Sequence, residues 1–466
     1  MSTLPPLEVP PEVAAFLLNV YSESHWEKLR QQLASPPTTT YFRVTVPLSY
    51  KPGLDFTTAA RERRAEILPK LQSEIDKHCI SRNWDTEQFK VLCHPLLDDV
   101  LCLPVIENFN IEKADKVIDE QHSIHWIDAY SEVMIDTSAG TAVLRGADIY
   151  APGILAAESD THVDDSVAIM VDLDKKCLRG RSKRFDGRKI HVGNGILKQS
   201  RQAIFSKKPS ELFGDGVLMS DPIYKTCGVP QGMSDQLFLQ NITSTLTSAL
   251  LDVGSDHRVL DMCASPGGKT IHIASMCRGS GSVIALDKNK YKIDRIIKNA
   301  KIYQVESKVR AFICDSTNLE GNATPDEFTS LPGQGIAVQS FDRIMLDPPC
   351  TGLGQRPVFG TTSEVQKANT FRTTQPAYQK RLMSQAVRLL KIGGVLLNPH
   401  ENEEVVADCL SRYPNMKLIN PKVKIGGPGL PAYGLNADEC ECVQRFDPIT
   451  HPETVGFFIA KLCRMS

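Results

Sequence analysis

The stretch Val259–Thr270 reads Val-Leu-Asp-Met-Cys-Ala-Ser-Pro-Gly-Gly-Lys-Thr and decides the fold prediction. Its apolar start predicts a short strand over Arg258–Met262, and a helix is predicted over Lys269–Met276. Glycines at such a junction let the backbone approach a ligand closely, and the first turn of the helix offers unpaired N–H donors. The spacing fits neither the GxxxxGK[ST] phosphate loop nor the GxGxxG nicotinamide-cofactor fingerprint.

Beyond this junction, predicted strands and helices alternate along the chain. Further strands are predicted at Ser282–Leu286, Arg310–Ile313, Phe341–Leu346 and Gly394–Leu397, with helices at Lys288–Tyr303 and around Tyr378–Leu390. Such an alternation is typical of a mainly parallel sheet with helices on both faces. We therefore predict an α/β, Rossmann-like domain in the second half of the chain.

Acidic residues stand at the carboxyl ends of successive predicted strands. Asp287 could accept hydrogen bonds from both ribose hydroxyls of a nucleoside, and Asp315 could accept one from an adenine amino group. Any one of these residues, Asp261 included, could instead be a helix N-cap. Three strand ends in series favour a nucleoside-binding crevice. Because GxGxxG is absent, S-adenosylmethionine is the better candidate.

Composition limits the class of protein. The 466 residues include 41% hydrophobic and 23% charged side chains, with a net charge of −2, which excludes a uniformly basic coat. Thirteen scattered cysteines favour a reducing compartment over a disulfide scaffold. The start of the chain lacks the pattern of a signal peptide, and no apolar stretch reaches the length of a membrane span. We expect a cytoplasmic protein without membrane contact.

A small all-β unit is predicted ahead of the α/β domain. Its strands are predicted at Ala142–Leu144, Ser166–Leu173 and Lys189–Val192, separated by Gly and Asp turns. Between the last two, Lys175–Lys189 carries eight basic residues and one acidic residue. Two interpretations stay open for this stretch: a solvated loop between strands, or a patch that neutralises nucleic-acid phosphates and releases counterions.

Several motifs together resemble a known family. They are Cys-Ala-Ser-Pro-Gly-Gly-Lys-Thr at Cys263–Thr270, Ala-Leu-Asp-Lys at Ala285–Lys288, Leu-Asp-Pro-Pro-Cys-Thr-Gly at Leu346–Gly352, and Arg-Phe-Asp-Pro and Gly-Phe-Phe-Ile-Ala-Lys near the C-terminus. This set resembles the Sun (Fmu) family of RNA cytosine-5 methyltransferases. Arg145–Ile154 is similar to the signature of a PUA domain. A PUA module ahead of the catalytic domain, with Gly-Leu-Gly-Gln-Arg-Pro after the Pro-Pro-Cys loop, is similar to the tRNA-modifying NSUN member that carries a PUA domain.

The resemblance implies a domain organisation and a set of partners. It implies an accessory N-terminal segment at residues 1–119, a PUA RNA-binding domain at 120–208 and an S-adenosylmethionine-dependent methyltransferase domain at 225–466. The implied partner is RNA, and in particular the 3′ region of a tRNA. No metal is predicted, because His122 with His125, and Cys440 with Cys442, lack further ligands at zinc spacing.

The family's residue roles carry over by motif. The methionine part of the cofactor would lie against Cys263, Ala264, Ser265, Pro266, Gly267, Gly268 and Lys269, with Asp287 at the ribose and Asp315 at the adenine. Asp347 would lie beside the target base and the cofactor, and Cys350 would assist breakdown of a covalent adduct. Resemblance and charge together give these RNA-binding candidates: Arg145, Tyr150, Arg179, Arg181, Lys183 and Arg184.

One departure from the family concerns the nucleophile. Carbon 5 of cytosine attacks a methyl sulfonium only after a cysteine thiolate has added to carbon 6. In the family this cysteine lies in a Ser-Thr-Cys-Thr stretch directly after the strand written here as Gly393–Leu397. This chain continues instead with Asn398-Pro399-His400-Glu401. The nucleophile is therefore predicted to be missing, since Cys409 should lie on the next helix and point away from the cleft.

Three explanations compete for this short loop. The chain could be an inactive member that still binds RNA and cofactor, and so works as a PUA-led tRNA adaptor. It could be a splice or gene-model variant of an active enzyme. Cys350 could also act alone, as the Pro-Cys thiolate does in DNA cytosine-5 enzymes. The second is favoured, because every other motif is intact and the change is confined to one loop.

Overall fold

The structure is a computed structural model that describes residues 4–108, 116–118, 124–126, 130–323, 335–359, 375–398 and 402–466. Within these ranges, no helix is both long and apolar enough to cross a membrane. The first elements are α1 (Pro11–Leu18), α2 (Glu23–Ala34), β1 (Thr39–Val44), α3 (Phe56–Ser81), β2 (Leu92–Cys93), β3 (Val100–Pro104), β4 (Ile106–Glu107), β5 (Lys116–Ile118) and β6 (Ile124–Trp126).

The middle of the chain forms a separate six-stranded sheet. Its elements, with a short following strand, are β7 (Ser131–Ile135), α4 (Thr137–Val143), β8 (Ile149–Tyr150), β9 (Ile154–Ala157), β10 (Ser166–Asp172), β11 (Lys189–Leu197), α5 (Arg201–Phe205), β12 (Asp215–Pro222) and β13 (Tyr224–Lys225). The sheet order is β8-β12-β11-β10-β7-β9, parallel between β7 and β10 and antiparallel elsewhere. We call residues 131–222 the β unit.

The remainder forms the α/β domain. Its elements are β14 (Leu237–Leu239), α6 (Ile242–Leu250), β15 (Arg258–Asp261), α7 (Gly268–Met276), β16 (Ser282–Asp287), α8 (Lys290–Ile302), β17 (Val309–Ile313), β18 (Glu320–Ala323), β19 (Phe341–Met345), α9 (Gln375–Leu389), β20 (Leu390–Asn398), α10 (Asn402–Arg412), β21 (Met416–Leu418), α11 (Ala437–Glu441), β22 (Val443–Phe446) and β23 (Phe457–Arg464). The main sheet has the order β17-β16-β15-β19-β20-β23-β21.

This sheet confirms the predicted α/β architecture. It is parallel from β17 to β20 and becomes antiparallel at β23. The parallel strands are apolar on both faces because helices cover both faces, and Val259, Leu260 and Val283 are fully buried or nearly so. Helix α8 is amphipathic with a 3.6-residue period, and its buried residues Ile293 and Ile296 face the sheet.

The N-terminal part packs a small sheet against helix α7. Strands β14, β1, β3 and β2 form this sheet in that order. Arg43 on β1 is buried, and its guanidinium donates to the Gln240 side chain (2.8 Å) and to the carbonyl oxygen of Gly268 (3.3 Å). Asp99 and His272 form a second buried contact at 2.9 Å. The N-terminal part thus holds the first turns of α7.

One predicted strand of the β unit is wrong. Ala142–Leu144 belongs to α4 and its C-terminal cap, whereas the strands predicted at Ser166–Leu173 and Lys189–Val192 are confirmed as β10 and β11. Asp136 starts the helix because its carboxylate accepts a hydrogen bond from the Ala139 amide at 2.7 Å. Because this cap precedes the apolar triplet, Ala142 and Val143 continue the helix and Leu144 ends it.

Candidate active site

The loop between β15 and α7 is held close to the neighbouring helix. Gly267 caps α7 with a φ of +100°, a conformation that favours glycine. A Cβ at this position would lie 3.3 Å from Cγ1 of Ile296 on α8. The Asn299 side chain of α8 donates to the carbonyl oxygen of Pro266 at 3.2 Å. The open first turn of α7 therefore presents its N–H groups at the carboxyl edge of the sheet.

The sheet order brings the predicted acidic residues to this same edge. Asp287 ends β16 and lies 3.6 Å from Nζ of Lys292, and Asp315 lies 3.0 Å from Nζ of Lys288. Burial opposes ionisation of Asp315, but hydrogen bonds from Thr317 and the charge of Lys288 outweigh it, so its pKa is lowered. Both carboxylates are thus arranged as hydrogen-bond acceptors beside the α7 loop.

Asp347 and Lys269 form the closest ion pair at this edge. Nζ of Lys269 lies 2.6 Å from Oδ2 of Asp347 and 3.2 Å from Oγ of Ser244. Both members of the pair are mostly buried, with side-chain exposures of 14% and 18%. The Phe457 ring centroid lies 5.8 Å from the ammonium. The pair therefore joins the α7 loop to the Asp-Pro-Pro-Cys loop through a partly desolvated hydrogen bond.

Asp261 lies beneath this pair and is buried. Oγ1 of Thr270 donates to its Oδ2 at 2.7 Å. Burial, reinforced by the nearby charge of Asp347, raises the pKa of Asp261 to about 7. Asp261 is one of the three acidic strand ends, and its bond to Thr270 joins the end of β15 to the first turn of α7.

We expect the Asp261 carboxyl to make stability depend on pH. The folded protein keeps this proton from about pH 4 to about 7, whereas the unfolded chain releases it near its ordinary pKa of about 4. The free energy of unfolding should therefore fall as pH rises through this window, by on the order of 1 to 3 kcal/mol. Urea titrations at pH 5 and pH 7 measure this difference.

The matched variants for this measurement are Asp261→Asn and Asp294→Asn. Asp294 is exposed on α8 and carries no buried charge. The first variant should lose the pH-dependent component, and the second should keep it. An identical pH dependence in wild type and Asp261→Asn would contradict the assignment.

Cys350 lies next to a cavity that the sequence did not predict. Helix α9 supports its loop through the Gln379 side chain, which donates to the carbonyl oxygen of Pro349 at 3.3 Å. The cavity measures about 250 Å³ and borders Cys350, with Tyr21 and Trp26 from the N-terminal helices on its wall. Nothing local in residues 11–34 indicates this contact, because it depends on packing across the chain.

The carboxylates around the α7 loop are paired with cations, since Asp287, Asp315 and Asp347 each have a lysine partner. Burial raises the pKa of the Cys263 thiol well above its usual range, and the carboxylates of Asp261, Asp347 and Asp287 add to that effect. Cys263 is therefore held as a neutral thiol. The carboxylates of Asp287 and Asp315 in this crevice suit a ligand that offers ribose hydroxyls and an amino group as donors.

Comparison with known proteins identifies the family. The profile of the family described as 16S rRNA methyltransferase RsmB/F matches residues 248–463, and that of the PUA domain matches residues 131–183. The tRNA (cytosine(72)-C(5))-methyltransferase NSUN6 of Mus musculus is 33% identical to this chain over an alignment of 507 positions. The alignment covers 100% of this chain and 98% of that protein. The chain belongs to the RsmB/F (Sun) methyltransferase family.

Other relatives agree with this membership. The Homo sapiens protein of the same name is also 33% identical, covering 100% of this chain and 99% of its own. The crystal structure of NSun6 from Pyrococcus horikoshii with SFG superposes with a TM-score of 0.70 at 26% identity, covering 98% of each chain. The predicted Sun-family resemblance and the predicted PUA module are both confirmed.

The nucleophile loop of this RsmB/F-family chain is only partly described. Strand β20 ends at the buried Asn398, and α10 begins at Asn402. His400 lies outside the described residues. Cys409 lies on α10 as predicted and is fully buried in the core, where desolvation raises its pKa to about 12. Cys350 lies on the same loop as Asp347, and the missing nucleophile stays a prediction.

The basic stretch of the β unit is folded more tightly than its charge suggested. The Arg179 guanidinium donates to the carbonyl oxygens of Ile154 (2.8 Å) and Ile204 (2.9 Å). Arg181 pairs with Asp186 at 3.0 Å, and also donates to carbonyl oxygens within its own loop. These arginines hold the loop together, so their positive charge is partly committed to folding.

The other RNA-binding candidates divide into two groups. Arg184 pairs with Glu132 at 3.0 Å, and Arg145 donates to the carbonyl oxygen of Arg356 at 2.8 Å, so both also serve intramolecular contacts. Lys183 and Tyr150 are exposed. The sequence does not single out Phe213, whose aromatic ring is 77% exposed. Phe213 stands two positions before Asp215, and Asp215 pairs with Tyr150 across β12 and β8.

Proposed function

We propose that this chain binds S-adenosylmethionine and tRNA and belongs to the machinery that methylates carbon 5 of cytosine. The observation that carries the proposal is the Lys269–Asp347 pair, held at 2.6 Å between the glycine loop and the Pro-Pro-Cys loop. Its relatives NSUN6 from mouse and human are tRNA (cytosine(72)-C(5))-methyltransferases. The direct test is transfer of a labelled methyl group to cytosine in tRNA, read by nucleoside mass spectrometry. Absence of both product and cofactor binding would contradict the proposal.

The residues present fit the cofactor. Asp287 and Asp315 offer carboxylate acceptors where ribose hydroxyls and an adenine amino group can donate. The glycine turn at Gly267 leaves the backbone of the α7 loop accessible to a ligand. The relative solved with SFG, an S-adenosylmethionine analogue, supports the same assignment. When bound, S-adenosylmethionine supplies an electrophilic methyl group.

The chain's own residues then act on the target base. Lys269 donates to Asp347, and the ammonium of this pair is the proton source that can serve N3 of the cytosine as negative charge develops there. Cys350 on the same loop is half-buried, and in a chain that also supplies a carbon-6 nucleophile it can take the carbon-5 proton when the adduct breaks down. The target cytosine must leave its stack to reach this loop, at a cost of about a few kcal/mol that is lowest at an unpaired 3′ end.

Asp287→Ala should weaken cofactor binding strongly. It removes two charge-assisted hydrogen bonds to the ribose, and we expect the dissociation constant to rise about thirtyfold, or about 2 kcal/mol. Isothermal calorimetry with S-adenosylhomocysteine measures this. Asp294→Ala, on the exposed face of the following helix, is the matched control and should bind like wild type. An unchanged affinity in Asp287→Ala would remove Asp287 from the cofactor site.

RNA would contact the exposed face of the β unit. A PUA domain grips structured RNA by its backbone and terminal bases, which suits the 3′ region of a tRNA. Lys183 offers an exposed charge, and the Tyr150 and Phe213 rings, 54% and 77% exposed, offer surfaces on which bases can stack. A cytoplasmic location and the choice of tRNA remain predictions from the sequence.

Replacing Lys175 and Lys183 by alanine should weaken tRNA binding and flatten its salt dependence. Both side chains are exposed on the basic loop, and each lost phosphate contact reduces the slope of log K against log salt by about one unit. We chose lysines because Arg179 and Arg181 also fold the loop. Filter binding at several salt concentrations measures the slope. Lys70→Ala, exposed on α3, is the control, and equal slopes in all three proteins would refute the patch.

A second candidate function is an RNA adaptor without catalytic turnover. It is favoured by one observation: only Pro399, His400 and Glu401 separate β20 from α10, and none of them is a cysteine. Both functions require a folded methyltransferase domain and RNA binding. They differ in whether this chain can form a covalent bond to carbon 6.

A further inference from the structure

The segment that follows the catalytic loop runs directly into the β unit. At its start, the amide of Gly456 donates to the carbonyl oxygen of Gly354 at 2.8 Å, and a Cβ on Gly354 would lie 2.2 Å from the carbonyl oxygen of Gly456. At its end, Phe359 is only 9% exposed and packs in the hydrophobic core of the β unit, against Gly140 of α4. Nine positions after Cys350, the chain is therefore inside the RNA-binding module.

Arg356 fastens the middle of this segment. Its guanidinium is buried and donates to the carbonyl oxygens of Pro36 (2.8 Å), Ser35 (2.9 Å), Pro452 (3.0 Å) and Thr454 (3.1 Å). Burial lowers its pKa to about 10. A fork of five N–H donors can join these separate stretches at once, whereas a lysine cannot reach all of them.

Two further contacts complete the attachment. The Arg145 guanidinium of the β unit donates to the carbonyl oxygen of Arg356 at 2.8 Å. The amide of Val358 donates to the carbonyl oxygen of Leu33 at the end of α2, at 3.0 Å. The segment is thus bonded to the N-terminal helices, to the loop before β23 and to the β unit.

We propose that Gly354–Phe359 is a strap that sets the position of Cys350 relative to the β unit. Arg356 and Phe359 are its anchors and act as positioning residues for the Pro-Pro-Cys loop. The proposal rests on the proposed function, because an RNA held on the β unit then presents its nucleotide at a fixed distance from Cys350. Fixed geometry of this kind lowers the entropic cost of bringing the reacting groups together.

The alkylation rate of Cys350 tests the strap without requiring turnover. The folded full-length chain is treated with iodoacetamide, and the Cys350 peptide is quantified by mass spectrometry. Phe359→Ala and Arg356→Lys should each raise the rate at least about fivefold, because the loop opens more often once an anchor is lost. Val217→Ala, in the same core but away from the strap, controls for destabilisation of the β unit and should leave the rate unchanged.

Phe359→Leu is a control for unfolding of the β unit. It keeps most of the core volume and should raise the alkylation rate less than Phe359→Ala does, at an unchanged melting temperature. Wild-type rates in Phe359→Ala and Arg356→Lys would overturn the strap. A rise of the same size in Val217→Ala would overturn it as well, since the effect would then follow stability and not the attachment.

Addition of a tRNA transcript separates this inference from the proposed function. In wild type, bound RNA should slow alkylation of Cys350 about tenfold by covering the loop. Phe359→Ala should bind the transcript with a similar dissociation constant and lose most of that protection. If RNA binds wild type without protecting Cys350, the proposed catalytic role of the loop fails, while the rates without RNA still decide the strap.

Discussion

Insertion of Ser-Thr-Cys-Thr after Leu397 should raise the rate of cytosine-5 methylation at least about a thousandfold over that of the unmodified chain. The reason is chemical. Without a thiolate on carbon 6, carbon 5 of cytosine does not attack a sulfonium methyl at a useful rate, and Cys409 is buried in the core on α10. The measurement uses tRNA and labelled S-adenosylmethionine, with 5-methylcytidine quantified after digestion.

The matched control for this insertion is Ser-Thr-Ser-Thr at the same place. It restores the length of the loop but supplies no thiol, so it should remain at the level of the unmodified chain. If the unmodified chain already methylates at a comparable rate, the prediction of a missing nucleophile is wrong. In that event Cys350→Ala distinguishes the cause, because loss of turnover without accumulation of a covalent protein–RNA adduct would identify Cys350 as the nucleophile.

Asp347→Asn, placed in the chain with the inserted cysteine, should lower kcat at least about a hundredfold. An amide has no ionisable oxygen to share a proton with Lys269, whose Nζ lies 2.6 Å from Asp347 Oδ2, so the pair can no longer serve N3 of the base. The residue keeps its size, and the fold should survive. Steady-state kinetics over tRNA concentration measures the change.

The companion measurement is cofactor affinity in the same variant. If Asp347 acts mainly on the base, the dissociation constant for S-adenosylhomocysteine should change less than about threefold while kcat falls. Lys269→Met should lower kcat in parallel, because it removes the other half of the pair. A kcat within a few-fold of the parent in Asp347→Asn would contradict the catalytic assignment, and a large loss of cofactor affinity alone would move Asp347 to the cofactor site.

The sequence by itself determined the α/β domain and the acidic residues at the ends of its strands. A strand, a glycine turn and a helix at Arg258–Met276 are local features, set by side-chain period and backbone freedom, so they can be read from neighbouring residues. Once the strands are taken as parallel, their carboxyl ends must share one edge. This reasoning predicts that Asp261, Asp287 and Asp315 lie together, whereas the place of Asp347 is implied by the family resemblance. The limits of the domains at 119, 208 and 225 stay predictions.

Tertiary structure decided which charges are available and what lies around Cys350. A count of basic residues cannot show that Arg179 donates to the carbonyl oxygens of Ile154 and Ile204, because both acceptors lie in other elements, 25 positions away along the chain. Likewise, the burial of Arg356 and Phe359 depends on partners hundreds of positions away or in another module. Local pattern encodes local structure, whereas these contacts exist only because packing brings remote segments together.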